Sequence, residues 1–491
     1  MQSRAVYGLH LARRRRLWYN VGYMKVVILG AGAVGFQIAK QLIDNGQDVV
    51  VVEKDRNQAA YVSNRLDCMI INDAGNNPSV LYQAGCESAD FFIAVADSDE
   101  VNMVACALVH SEFSKPRTVA RVRNLEYSTA RIAERGLLGI DYIVNPEIEA
   151  ARAIIQSIER GALSDVMLFQ HAQLQIRPIT VTPGSFLHGK SLRETAQAID
   201  ISFLVAAVFG SEGYIIPSGD TVIQAGDTLY IVASEKEFDK IFHRLGKDKH
   251  QLNRILIIGG GKIGAEIAGH LLHSTDRPEA RKRRTLTSRI KSMRLPHVKI
   301  VERDYEKCKY LSERFPEALL INADISDEGV FEEEHFADSD LIVTTTDNQE
   351  LNIVTALYAR SLGVKRSIVL VKKVGYSAIA INLGIDVAVS FKHTMVNNIL
   401  TFIHRGAIKS VHSVADGKIE IIELSVDPDC KAAHKPVREI KLPPGSLILA
   451  VSHENQNDIP SGERIIHPGD HIVVITGKEH VEKLQEVFAA P

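Results

Sequence analysis

The sequence predicts an α/β chain: two tandem Rossmann-like, doubly wound parallel sheets, each followed by a small, strand-rich α+β module. Three observations carry this. Residues 26–35, VVILGAGAVG, and 255–264, ILIIGGGKIG, are each a β-branched run that breaks into a G-x-G-x-x-G turn. Beyond each turn, apolar strand-like runs alternate with helix-like segments for about 140 residues, the pattern of βαβ units and a parallel sheet. Each such stretch then gives way to about 70 residues of hairpin-like runs punctuated by P-G, S-G and A-G-D turns.

The two halves repeat in order. VVVVEKD at 49–55 matches VKIVERD at 298–304, placing Glu53 against Glu302. INDAG at 71–75 matches INADI at 321–325, which we read as Asp73 against Asp324. FFIAVADSDEVNMVACAL at 91–108 matches LIVTTTDNQELNIVTALY at 341–358, setting Asp97 against Asp347. The tails agree too, IPSGDTVIQAGDTLYIVA at 216–233 with IPSGERIIHPGDHIVVIT at 459–476. Self-similarity on this scale identifies a duplicated unit. The offset is 229 residues between Gly30 and Gly259 but 249 between Glu53 and Glu302, so the second copy carries an insert, assigned to the basic stretch 274–296. The expected layout is an extension without regular structure at 1–23, a Rossmann domain at 24–145, and a linker helix with its module at 146–236. A second Rossmann domain follows at 252–390, then a linker helix with its module at 391–479.

Composition excludes several classes. A net charge of −3 over 491 residues gives no footprint for nucleic acid. No apolar run reaches the ~20 residues of a membrane span. The five cysteines form no C-x-x-C pair, which fits a reducing compartment and argues against a disulfide or zinc framework. Residues 1–23 are rich in arginine and lack acids; they could be a transit peptide, but little Ser or Thr and only a short basic cluster favour an upstream start or an irregular extension. The RKRR run at 281–284 could contact anionic headgroups or an acidic partner, or could be a solvated loop.

Each glycine of the first turn has a separate task. Gly30 permits the tight turn after the strand, Gly32 lets the backbone approach a pyrophosphate, and Gly35 lets the helix pack close to the sheet. The helix expected at about 33–45 points its N-terminal amides at the phosphates. Glu53 ends the second strand, where a carboxylate accepts ribose hydroxyls and repels a 2′-phosphate, favouring NAD(H) or an adenine mononucleotide over NADP(H). Asp73 with Ala74 can line the adenine edge. Ala96 and Asp97 can contact ribose, unless Asp97 is the N-cap of the next helix. Arg121 ends the fifth strand and can offer a phosphate its planar fork. The second half keeps Gly259, Gly261, Gly264, Glu302, Asp324 and Asp347 but places Leu370 where the first has Arg121, so its phosphate grip is expected to differ. His171, His188, His434, His453, His467 and His471 are read as isolated side chains, and no nucleophile elbow, P-loop lysine or metal-spaced cluster is present. The crevices are therefore expected to bind rather than to react.

Taken together, MKVVILGAGAVG, VVVVEKD, AVADSDEVN, VARVRN, LGIDYIVNPE and SIERGAL, with their second-copy equivalents, resemble the TrkA-type peripheral subunits of bacterial Trk potassium-uptake systems. Those proteins carry two regulator-of-potassium-conductance (RCK) units in tandem. The resemblance covers nearly everything from Met24 onward and implies a cytoplasmic protein at the inner face of the membrane. It further implies a homotetrameric ring beneath a TrkH/TrkG-like transmembrane potassium transporter, gated by NAD(H), ATP or ADP. It adds Ala31, Ala33 and Val34 to the first pocket, and Gly260, Lys262, Ile263, Ile325 and Thr346 to the second.

Overall fold

The computed structural model describes residues 24–488, except 125–126, 128–136, 160–166, 170–173, 211–212, 246–251, 274–295, 328, 404–407, 415–418 and 454–455. The 1–23 extension, the RKRR run and His171 lie outside the described residues. The chain forms two compact units, one of residues Met24–Ser164 with His250–Phe402, the other of Asp165–Lys249 with Ile403–Pro491.

In the first unit, strands β1 (Lys25–Leu29), β2 (Asp48–Val52), β3 (Met69–Ile71), β4 (Phe91–Ala94), β5 (Arg117–Arg121) and β6 (Tyr142–Val144) form a parallel sheet in the order β3-β2-β1-β4-β5-β6. β1 and β2 are Val- and Ile-rich, β4 reads FFIA, and all three are almost wholly buried, as strands covered on both faces must be. Helix α1 (Ala33–Asp44) follows the first glycine turn, and α2 (Asp99–Glu112) joins β4 to β5. Helix α3 (Pro146–Glu159) leaves β6. Next come the strands of the other unit, β7 (Met167–Leu168), β8 (Leu174–Thr180), β9 (Leu204–Gly210), β10 (Gly213–Ile215) and β11 (Thr228–Ser234).

The second half repeats the plan. Strands β12 (Arg254–Ile258), β13 (His297–Glu302), β14 (Leu319–Asn322), β15 (Leu341–Thr344), β16 (Arg366–Val371) and β17 (Val387–Ser390) order as β14-β13-β12-β15-β16-β17, all parallel. Helices α4 (Lys262–His273), α5 (Gln349–Ser361) and α6 (Phe391–Ile403) correspond to α1, α2 and α3. The closing strands are β18 (Ile408–Val414), β19 (Ile419–Ser425), β20 (Leu447–His453), β21 (Gln456–Asp458) and β22 (His471–Gly477). These and β7–β11 make two antiparallel five-stranded sheets, whose inner faces share one core that includes Ile176, Ala206, Ile421 and Val473.

The linker helices are exchanged between the Rossmann halves. α3 starts at Pro146, a position suited to the first helical turn, with the Asn145 side chain accepting from the Ile148 amide at 3.0 Å. Its apolar stripe, Ala150, Ala151, Ile154, Ile155 and Ile158, is buried among Ile257, Ile267 and Leu271 of the second half. In return α6 brings Phe402 onto the first half, where its ring stacks on Tyr142 at 4.6 Å beneath the Arg117 guanidinium. Glu149 of α3, itself buried, accepts from Arg152 at 2.7 Å and from Asn398 of α6 at 2.5 Å. The sequence marks α3 as amphipathic but does not say whose core it seals.

Candidate functional site

Each parallel sheet reverses its strand order between its first and fourth strands, and a crevice opens there at the carboxyl edge, where doubly wound sheets bind ligands. The glycine turns floor these crevices for the reasons the sequence suggests. Gly30 has φ +100°, and a Cβ on it would stand 2.8 Å from the Ala96 amide nitrogen. A Cβ on Gly35 would meet the Gly30 carbonyl at 1.9 Å. At Gly32 it would meet nothing within 4 Å, so the backbone lies bare towards the cleft. Gly259, Gly264 and Gly261 repeat the three roles, with φ +101° at Gly259, a 2.0 Å clash at Gly264 and open space at Gly261.

Glu53 and Glu302 occupy matching places. Glu53 Oε2 accepts from the Ala31 amide at 2.6 Å and Oε1 from Asp55 at 2.8 Å. Glu302 accepts from Gly260 at 2.9 Å and from Asp304 at 3.0 Å. Each carboxylate thus braces its glycine turn while lining the cleft. Gln58 adds a bond to the Ala31 carbonyl at 2.6 Å. Its counterpart Lys307 puts a cation on the cleft wall of the second half.

The register after the third strand corrects one pairing. Asn72 donates to the Glu53 and Lys54 carbonyls, and Asn322 donates likewise to those of Glu302 and Arg303. With Asn72 and Asn322 equivalent, Asp73 falls opposite Ala323, and Asp324 opposite Ala74. The two acids are one residue out of step, although both line the cleft. Asp324 Oδ1 accepts from the Ser326 hydroxyl at 2.6 Å and from its amide at 3.0 Å, and these bonds hold its carboxyl below the usual range. The capping alternative for Asp97 also fails. Ser98 caps α2, accepting from the Val101 amide, while Asp97 is fully exposed, 3.5 Å from Arg121 and 3.8 Å from Arg123.

Arg121 is the unusual group. It is 6% exposed, yet its guanidinium reaches the Val95 carbonyl and the Asp97 carboxylate only at 3.5 Å, and its buried Nε has no hydrogen-bond partner. A buried cation left this poorly satisfied calls for an anion, and the residue lines the cleft. Leu370 is its counterpart, because Asn102 donates to the Arg121 carbonyl and Asn352 to that of Leu370. The acid beneath this strand end changes as well. Asp99 accepts from the Arg123 and Asn124 amides at 2.8 Å, and neutral Gln349 does the same for Lys372 and Lys373 at 3.0 and 3.1 Å. The second half therefore has neither the arginine nor the acid at these two places.

The crevices merge into one cleft of about 1740 Å³, larger than the roughly 300–1,000 Å³ of a single small-molecule pocket. Ala33, Val34, Ala96, Ile263, Ile325, Thr346 and Asp347 line it, and Lys262 reaches across to the Arg123 carbonyl at 3.3 Å. Sequence reasoning overlooked Gln58, Asp99 and Asn102. For the last, the signal was present as the Asn shared by DEVN and QELN.

The histidines are less scattered than expected. His434, His453 and His467 gather near buried Asp470, with His453 Nδ1 2.5 Å from Asp470 Oδ1 and the His467 amide donating to Oδ2 at 2.8 Å. Asp227 makes the matching turn bond to the Gln224 amide, so the carboxylate's part is structural in both modules. Among the described residues no group of three His, Cys, Asp or Glu is set to hold a metal ion.

Fold and site together define a class: duplicated doubly wound α/β proteins with a glycine-turn crevice at each switch point. The comparisons narrow it. The TrkA-N domain family matches residues 26–146 and 283–391, and the TrkA-C domain family matches 176–246 and 421–489. The Trk system potassium uptake protein TrkA of Halomonas elongata is 31% identical over 477 residues, 95% of this chain and 98% of its own length. The protein of that name from Vibrio alginolyticus is 29% identical over 474 residues, again 95% of this chain and 98% of its own. The chain belongs to the TrkA family. In fold it is similar to the GsuK channel, with TM-score 0.54 at 19% identity, covering 99% of this chain and 84% of that one. The GsuK channel bound to NAD gives TM-score 0.52 at 18% identity, covering 98% and 83%.

Proposed function

We propose that the chain is the cytoplasmic, nucleotide-sensing regulatory subunit of a Trk-type potassium transporter, holding NAD(H) or an adenine mono- or polyphosphate in its crevices without transforming it. The relatives' name, Trk system potassium uptake protein, supports the transport role. Among the described residues no helix is long and apolar enough to cross a membrane, so on this reading the pore belongs to a partner of the TrkH/TrkG kind. A homotetrameric ring of such chains would carry a change of cleft shape to that pore.

The observation that carries the nucleotide reading is Arg121, buried and under-bonded beside a bare glycine turn. In the first crevice the turn amides from Gly32 to Val34 and Arg121 would hold phosphate, with Ala31 tied to Glu53, Glu53 would hold the ribose, and Asp73, Ala74, Ala96 and Asp97 would form the nucleoside walls. In the second, Gly259 to Gly264, Glu302, Asp324, Ile325, Thr346 and Asp347 would do so without the arginine. A ligand shifts a gate only by its differential affinity for two states, and a cleft walled by both halves supplies that difference when it closes. The test is calorimetric titration of the full chain with NADH, NAD⁺, ATP, ADP and AMP, followed by potassium flux through the reconstituted transporter. Binding that changes flux is expected; indifference to every adenine nucleotide would overturn the reading.

A further inference from the structure

The structure assigns to Asn102 the part of positioning residue for the first nucleotide site, and to Asn352 the same part in the second. This rests on the nucleotide reading of the two crevices. Asn102 lies in the first turn of α2, is 0% exposed, and does not line the cleft. Its carboxamide is spent wholly on backbone. Oδ1 accepts from the Ala96 amide at 2.9 Å, and Nδ2 donates to the Ala96 carbonyl and the Arg121 carbonyl, both at 2.9 Å.

The second half repeats the device. Asn352, 1% exposed, accepts from the Thr346 amide and donates to the Thr346 and Leu370 carbonyls, each at 3.0 Å. The clamped side chains differ between halves, Ala96 against Thr346 and Arg121 against Leu370, while the clamp is unchanged. Asn102 reads backbone alone, Asn352 accepts in addition from the Thr346 hydroxyl at 2.6 Å, and the backbone that both read frames the crevice. The Ala96 peptide is the one that abuts Gly30, and Thr346 abuts Gly259 in the same way. The Arg121 carbonyl fixes where the phosphate-facing guanidinium begins. Only a primary amide on a short stem combines one acceptor with two donors here; a carboxylate has no donor and a leucine has neither.

The test uses Asn102→Asp in a full-length chain whose second site is closed by Gly261→Asp, with ADP affinity read by calorimetry. Losing two buried donors should weaken ADP by at least about tenfold at pH 8. Protonating the introduced carboxyl returns one O–H donor, so affinity should recover as pH falls towards 5.5, an effect absent from the Gly261→Asp parent. The same substitution beside Gly32→Asp should leave ADP affinity at the second site intact. Parental affinity at pH 8 in a folded chain, or equal loss at both sites, would overturn the assignment. Should Asn102→Asp fail to fold, Asn102→Gln keeps the amide but misplaces it by one methylene, and parental affinity in that variant would overturn it equally. Amide exchange at Ala96 is read without ligand and should quicken in either variant. If the parent chains bind no adenine nucleotide, it is the nucleotide reading that fails, and the exchange rate still decides the clamp.

Discussion

Replacing Arg121 with Leu and Asp99 with Gln installs in the first half the pair that the second carries as Leu370 and Gln349. The structure sets what to expect of each state. In the free chain the change removes a buried guanidinium whose Nε lacks a partner, a defect worth about 1–3 kcal/mol against folding. Gln in place of Asp99 keeps an acceptor for the Arg123 and Asn124 amides, as Gln349 does for Lys372 and Lys373. The ligand-free melting temperature should therefore hold or rise. In the bound chain, charge-assisted bonds from guanidinium to phosphate are lost. At roughly 1.5–3 kcal/mol these correspond to a tenfold to 150-fold weaker ADP. With ADP at about 100 times the parental Kd, ligand stabilisation should fall from about 2.7 kcal/mol to about 0.9 kcal/mol for a thirtyfold loss. Differential scanning fluorimetry with and without ADP, in the Gly261→Asp chain, reads both effects. An undiminished ADP-induced shift would refute a phosphate-holding Arg121.

Three more outcomes are expected. Ile154→Ala, which empties a fully buried position of α3, should lower stability in urea by about 2–5 kcal/mol; a loss under about 1 kcal/mol would mean that α3 does not seal the second half's core. Burial pushes the Cys86 thiol up to about 12 and raises Cys106, so neither should react with iodoacetamide at pH 8 in the native chain, and rapid alkylation would refute their burial. Because the raised thiol stays protonated in the fold, its contribution to stability is complete below pH 9.0 and is lost between there and about pH 12. Because both crevices open into one cleft, saturating the first with ADP should change the second's affinity for NADH, and the reverse effect must be equal in size; superimposable isotherms would show that the sites are uncoupled.

What the sequence discloses depends on how far apart the interacting atoms lie along the chain. The glycine turns are legible because their spacing is local, Gly35 answering to the Gly30 carbonyl within the same turn, even though Gly30 itself abuts the distant Ala96. Strand order follows from the βαβ rhythm, and Leu370 could be set against Arg121 from offset alone. Asp73 and Asp324 are not equivalent because the residues that fix the register are Asn72 and Asn322, which hold the main chain of the second strand's end, and the acids follow them one place apart. Asn102 was hidden for another reason: its partners are main-chain atoms of two strand ends, which no side-chain motif records. The His453–Asp470 contact depends on β20 pairing with β22, where Ser452 faces His471. The helix exchange could not be read at all. An apolar stripe specifies that a helix is buried, not which of two near-identical cores receives it.

That last ambiguity bears on how a signal could travel. Duplicated sheets present nearly equivalent surfaces, so a linker helix can close its own half or the other at similar cost. Here each closes the other, and Glu149 ties the two helices together through Asn398. Neither half can then turn about the cleft without carrying the helix that leads into the other half's C-terminal module. The broken symmetry of the site acts on the same element. Arg121 and Asp99 belong to one half, Leu370 and Gln349 to the other, so on the proposed reading a polyphosphate would meet different partners on the two sides of the cleft. A symmetric pair of pockets would respond to nucleotide level alone. Unequal pockets joined by exchanged helices can respond to which nucleotide is present, a distinction that a single unduplicated domain has no second pocket to make.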